Sequence, residues 1–389
     1  MFGKLFKNWL FKFRTQAFGW KMPYDCDPQE ELTYINSLKE PSDDLERSYA
    51  QYRCQCHLMG ASSVFVYNVG CFFIMLPFII KCLLGRVNEK IHADIVFTIS
   101  IKDKSIIPSS LHNKYETERI TDVYEGFLLK SGDWKYIKAL FGRYPFSYYF
   151  VLRMIFKMAI YRFFIEKYSP KAIAINGEYS STSSFMTYYC ESQGIEHINV
   201  MHGEKLLYIR DSFFRFTKCY VWDEYYIGLF TKERAAAGQF VVERPDSLHF
   251  DISQHKGSIP HCDFKYMLFE NEKLEDVCRT MQQLMRKGYS IKLRPHPSYT
   301  DRDKLKKLVD LEDIEDPKIP IADSVCNTDV VISLNSTVLL QAQFSGIEIA
   351  IDDYNYRDAY QKMKDLEYIL VNKPHKRLSE ILEYDKKNN

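Results

Sequence analysis

The chain has 389 residues, 46% hydrophobic and 26% charged, a length and balance that exclude a disordered polypeptide and suit two domains with separate cores. Its 52 basic residues against 51 acidic ones offer no overall charge with which to hold nucleic acid, so no nucleic-acid partner is expected. Ten cysteines without a repeated spacing, and no cleavable signal-type start, point to a reducing cytoplasm.

Residues 1–60 are set apart as a basic, aromatic N-terminal extension. Phe2, Leu5, Phe6, Trp9, Leu10 and Phe13 recur at near-helical spacing, with Lys4, Lys7, Lys12, Arg14 and Lys21 between them. Two readings fit this segment, a helix lying in an anionic membrane interface or an amphipathic helix packed on its own domain. The chain is then polar and loop-like around Pro23, Pro28 and Pro41, and helical towards Arg53. Cys54-Gln-Cys56-His57 lacks a second ligand pair and is not read as a zinc site. Val64 to Leu84 is the most apolar run, but Asn68, Pro77 and Lys81 interrupt it. It is read as a buried or membrane-apposed helix ahead of a membrane span.

Residues 61–250 form the first alternating series. Strands are expected at Ala93–Ser100, Ala172–Asn176 and Ile195–Val200, with helices at Tyr144–Tyr168 and Phe185–Ser192. The last two strands run into Gly177-Glu178-Tyr179 and Met201-His202-Gly203-Glu204. Periodicity is lost from Arg234 to Cys262, where Pro245, Gly257 and Pro260 mark the junction. Residues 251–389 form the second series: a strand Tyr266–Phe269, a helix Glu272–Lys287 stopped by Gly288, a strand Glu348–Asp352, a short strand Tyr368–Val371 and a last helix from Lys376. The fold class is α/β, with two Rossmann-like, doubly wound domains facing across a cleft.

The chemistry concentrates between Tyr289 and Ile351. There, Ser290-Ile-Lys-Leu-Arg294-Pro295-His296-Pro297 and Asp329-Val-Val-Ile-Ser333-Leu-Asn335-Ser336-Thr337 are apolar strands that end in residues able to hold an anion. Asn335, Ser336 and Thr337 would cap the helix beginning at Val338, whose N-terminus offers free N–H groups to a phosphate. Ligands of open α/β sheets bind beyond the carboxyl ends of the strands, so the two ends together describe a phosphate pocket. Asp301-Arg-Asp303 is read as a helix cap, and neither a metal nor a cofactor is expected.

Arg294-Pro295-His296-Pro297 resembles the HP motif of bacterial sialyltransferases, polysialyltransferases and related capsule transferases, and Ser333-Leu-Asn-Ser336-Thr337 resembles their Ser-rich motif. The resemblance covers residues 263–352 and implies a GT-B enzyme in which Arg294, His296, Pro297, Ser333, Asn335, Ser336 and Thr337 hold the CMP part of a CMP-activated sugar donor. The family's Asp-Asp-Gly triplet is not seen; its base-bearing strand end is matched in position by Glu178, with His202 as the alternative. The implied activity is inverting, metal-independent transfer of sialic acid, a related nonulosonate or Kdo to a glycan or lipid-linked glycan acceptor, building capsule or lipopolysaccharide. The expected location is the cytoplasmic side of the inner membrane, in peripheral contact with it. Two other functions fit the same layout: a CDP-polyol phosphotransferase of the teichoic-acid type, and a non-catalytic membrane-associated scaffold in polysaccharide assembly.

Overall fold

The computed structural model describes residues 21–99, 105–121, 125–269 and 273–387. The basic segment 1–20, Ser100 of the first expected strand and Glu272 of the expected helix lie outside the described residues. The chain divides into two compact units, one running to residue 202 and resuming at 207–243, the other made of 203–206 and 244–389. The junction therefore falls at 243/244 rather than 250/251.

In the first unit, α1 (Pro28–Ser37), α2 (Asp44–Met59) and α3 (Ala61–Leu83) precede β1 (Ile95–Thr98). Next come α4 (Ser109–Lys114), β2 (Glu118–Ile120), α5 (Trp134–Arg143), α6 (Tyr148–Tyr168), β3 (Ala172–Ile175), α7 (Ser183–Glu191), β4 (Glu196–Val200), β5 (Lys218–Val221), α8 (Glu224–Lys232) and β6 (Phe240–Val242). The strands form one parallel sheet in the order β2-β1-β3-β4-β5-β6. Every residue of β1 and β3 is buried, as a parallel sheet covered on both faces requires.

Residues 21–60 are not an extension. Asp27 caps α1 by accepting from the Gln29 N–H, and Asp43 caps α2 by accepting from the Glu46 N–H. Cys26, Ile35, Leu38, Ala50, Cys54 and Leu58 then pack with Tyr208, Ile209 and Phe213 in one apolar cluster. Residues 21–60 belong to the core of the first unit.

The second unit contains α9 (Ile252–His255), β7 (Cys262–Met267), α10 (Leu274–Met285), β8 (Ile291–Arg294), α11 (Arg302–Leu308), α12 (Ile321–Cys326) and β9 (Thr328–Ser333). It closes with α13 (Thr337–Phe344), β10 (Glu348–Ile351), α14 (Arg357–Asp365), α15 (Ile369–Asn372), β11 (Lys376–Arg377) and α16 (Leu378–Lys387). Its parallel sheet runs β11-β10-β9-β7-β8. Both sheets thus wind outward from their first strand in opposite directions, so each has a switch point, between β1 and β3 and between β7 and β9.

Three element readings change. The expected helix Tyr144–Tyr168 begins only at Tyr148, as α6, after a turn that contains Pro145, which cannot supply an interior helical N–H, and α5, which ends at Arg143 before that turn, was not expected. Tyr368–Val371, expected as a strand, is the helical turn α15, with the short strand β11 coming after it at the start of the expected last helix. Strands β2, β5 and β6 have three or four residues each and were not expected.

Candidate functional site

The carboxyl ends of β7, β8 and β9 open onto a cavity of about 740 Å³ within the second unit. It stands at the switch point between β7 and β9, where connections leave the sheet in opposite directions and leave room for a ligand. A cavity of about 900 Å³ lies at the opposite, amino end of the same strands, bordered by Asp263, Thr328 and Glu348. Ligands of open α/β sheets bind beyond the carboxyl ends of the strands, not the amino ends, so the 740 Å³ site is favoured.

His296 borders that site. Pro295 and Pro297 keep the chain out of helical geometry after β8, and two bonds from backbone N–H groups fix the turn around the ring. The His296 N–H donates to Thr300 Oγ1 at 2.8 Å, and the Ser298 N–H donates to His296 Nδ1 at 3.1 Å. A ring nitrogen that accepts carries no proton, so the neutral imidazole holds its proton on Nε2. The ring also stacks on Tyr299, with centroids 4.5 Å apart. A fixed, partly exposed N–H donor results.

The opposite wall is the start of α13. Ser336 is its N-cap: its backbone is extended and its Oγ accepts from the Val338 N–H at 3.3 Å, which leaves the hydroxyl proton for a ligand. Asn335 and Thr337 are exposed and line the cavity beside it, and Pro297 lines the wall that carries His296. Of the first N–H groups of α13, that of Val338 goes to the Ser336 hydroxyl and that of Leu339 to the Ser336 carbonyl, and the positive end of the helix dipole lies here.

Two expected donors are used elsewhere. Ser333 is fully buried, and its hydroxyl donates to the Met267 carbonyl at 2.8 Å, tying β9 to β7. Arg294 lines the cavity, yet it donates to Glu315 Oε2 at 2.5 Å and to the Ile319 carbonyl at 2.8 Å. Glu315 also accepts from Lys265 Nζ at 2.5 Å and from the Ser324 hydroxyl at 2.6 Å. Burial opposes the charge on Glu315, but these donors outweigh it and hold the carboxyl below its ordinary pKa. Two cations against one carboxylate leave this corner net positive. Arg294 is therefore not a free fork, and an anion in this cavity would feel it through its field.

Sequence reasoning passed over Glu204, which lies in the cavity wall. Gly203, at φ +70, makes the turn that presents it. Its Oε1 is shut off from solvent with no hydrogen-bond partner among the described residues. Burial pushes its pKa up to about 7, against an opposing hydrogen bond from Tyr368. The only signal available beforehand was its place at a strand end, which His202 and Glu178 shared.

Glu178 corrects an expectation. It comes after β3, but the residue is fully buried, its carbonyl accepts from Gln51 Nε2 at 2.8 Å, and its charge supports that of Arg210. A carboxylate sealed in the first unit cannot take a proton from an incoming hydroxyl. His202, after β4, is exposed. Asp301 caps α11 by accepting from the Lys304 N–H at 3.0 Å. Asp352 is fully buried and accepts from the Tyr266 hydroxyl at 2.6 Å, a structural role at the end of β10.

No protein-family model matches the chain, and no curated protein sequence does. Among solved structures, it is similar to UDP-GlcNAc 2-epimerase from Methanocaldococcus jannaschii, with 11% identity over 77% of this chain and 100% of that one and a TM-score of 0.39. The kitacinnamycin glycotransferase gives 9% identity, 75% and 86% coverage and a TM-score of 0.44. The wall teichoic acid polymerase TagF gives 12% identity, 75% and 80% coverage and a TM-score of 0.39. All three TM-scores fall below 0.5, so the roles assigned to residues rest on the geometry of this chain alone.

Proposed function

We propose that this protein is an inverting, metal-independent glycosyltransferase of the GT-B type, moving a sialic acid, a related nonulosonate or Kdo from a CMP-activated donor to a glycan or lipid-linked glycan acceptor. One observation carries this reading: His296, the Ser336 cap and the first turn of α13 converge on one switch-point cavity above a net-positive corner.

In this reading the CMP phosphate lies against the α13 N-terminus, with His296 Nε2–H and the Ser336 hydroxyl donating to its oxygens. As the bond between the anomeric carbon and the phosphate oxygen breaks, the electron pair stays with CMP, and the donors meet the growing negative charge. The acceptor oxygen bonds to the opposite face of the anomeric carbon, which inverts it. The hydroxyl proton passes to a base. With Glu178 buried, we assign that role to Glu204, whose raised pKa suits proton uptake near neutrality. His202, two residues before it, is the second candidate. The protein would work at the cytoplasmic face of the membrane, where lipid-linked acceptors are available.

The test pairs binding with products. CMP or CDP should raise the melting temperature while UDP and GDP at equal concentration do not, and a CMP-sugar with acceptor should yield free CMP and a lengthened glycan. Transfer of a polyol phosphate from a CDP-polyol would assign the phosphotransferase instead. No response to any cytidine nucleotide overturns both.

A further inference from the structure

The geometry points to α3 as a helix that lies within one leaflet of a phospholipid bilayer, parallel to its plane, and fastens the first unit to the membrane. Only four of its 23 residues are buried: Ser63, Met75, Ile79 and Cys82. The rest of its circumference carries large apolar side chains, among them Phe65 and Phe73 at 69% exposure and Leu76 at 65%. Isolated exposed apolar residues are ordinary; a whole helix of them marks an interaction surface.

The buried stripe shows what the helix already holds. The Tyr67 ring stacks on Tyr149, the Tyr149 N–H donates to Asn68 Oδ1 at 3.1 Å, and Phe78 meets Phe156 at 5.4 Å. At the far end the Leu129 N–H donates to the Cys82 carbonyl at 3.1 Å. Thus α3 is docked along its length on α6. The polar Asn68 that interrupts the apolar run faces α6, and the exposed side is apolar except for Ser62 at its start and Lys81 in the last turn, whose long stem lets its ammonium reach lipid headgroups. In turn α6 carries Arg162, buried and paired with Asp133 at 2.7 Å, and Tyr161, bonded to buried His197 at 2.8 Å. Were α3 to cross a bilayer, it would draw that ion pair and imidazole towards hydrocarbon, where buried charge and polar groups are disfavoured. Lying flat keeps them in water.

The adjoining chain identifies the occupant. The Lys21 N–H donates to the Leu58 carbonyl at 3.1 Å, so the segment ahead of it joins the unit just where α2 gives way to α3. Residues 1–20 contain Lys4, Lys7, Lys12 and Arg14, no acidic residue, and Phe2, Phe6, Trp9 and Phe13. Neither do residues 61–83 contain Asp or Glu. A basic, aromatic sequence leading into Lys21, together with an apolar helix free of acidic residues, fits an anionic lipid surface, not a second copy bearing the same positive charge.

The full chain should co-sediment with vesicles of phosphatidylcholine and phosphatidylglycerol. Phe73→Asp/Leu76→Asp should weaken binding at least 10-fold with an unchanged melting temperature. Phe65, Phe73 and Leu76, each replaced by a spin-labelled cysteine, should report one shallow depth. Three results would overturn the proposal. The depths could pass from one surface through the bilayer centre, as in a span. The wild type could ignore vesicles and be a dimer that the double variant splits. Deletion of residues 1–20 could create vesicle binding, which would mean that the segment itself covers α3. None of these readouts depends on the transferase reading.

Discussion

His296 can donate only through Nε2, because the Ser298 N–H already occupies Nδ1. On the proposed function, His296→Ala removes a donor to phosphate in both ground and transition states, so nucleotide affinity should fall by about 10-fold and turnover by about 100-fold or more. Ser336→Ala removes one phosphate donor among several and an N-cap, so the loss of turnover should be smaller, with about 1 kcal/mol lost from stability in urea unfolding. Glu204→Gln keeps the shape but cannot take a proton. Turnover should drop about 100-fold while calorimetry finds the nucleotide affinity unchanged. Should His202→Ala do this instead, His202 is the base. The HP and Ser stretches were legible because a strand that stops at Pro or at a capping residue leaves a local mark. Glu204 left none: its chemistry comes from burial, and burial is set by chain brought in from elsewhere. Glu178 shows the converse, a strand-end carboxylate whose position looked exposed until Gln51 and Arg210 closed around it.

At the scale of elements, β7 and β8 are joined by the buried Lys265–Glu315–Arg294 group as well as by their backbone ladder. Glu315→Gln would leave two cations facing each other without a carboxylate. Urea unfolding of the second unit should show a loss of about 3–5 kcal/mol. This group was illegible because Lys265 looks like an ordinary solvent-facing strand position, Arg294 was read as a donor to phosphate, and their shared partner stands in a loop without periodicity. Length explains the other misses. β2, β5 and β6 are too short to display a period of two, whereas α10 has Leu274, Val277, Cys278, Met281 and Leu284 buried on one face and was readable as written.

On the scale of the whole molecule, two buried groups tilt the two units in opposite directions with pH. His197, in the first unit, is bonded to Thr187 at 2.7 Å and Tyr161 at 2.8 Å, and burial holds its pKa down to about 3. Below its ordinary value of 6.5 the unfolded chain binds the proton and the folded one does not, so His197 withdraws stability as pH falls from 6.5 towards 3. Glu204 does the reverse: the folded second unit takes up a proton at about 7 and the unfolded chain only at 4.5, so its contribution is full below 4.5 and lost as pH rises to 7. Each slope reaches about 1.4 kcal/mol per pH unit. Calorimetry between pH 4.5 and 6.5 should show these opposing contributions, with Glu204→Gln flattening the second unit alone.

The division of the chain has one more consequence. Residues 203–206 belong to the second unit but are encoded between β4 and β5 of the first. On the proposed function, a chimera that exchanged only residues 244–389 for those of a transferase of the same fold would import a new phosphate cradle and leave Glu204 behind. Donor choice and proton transfer would then be separately inheritable. In a library of such hybrids, nucleotide preference should track the C-terminal fragment, while a defect at Glu204 should persist through every exchange.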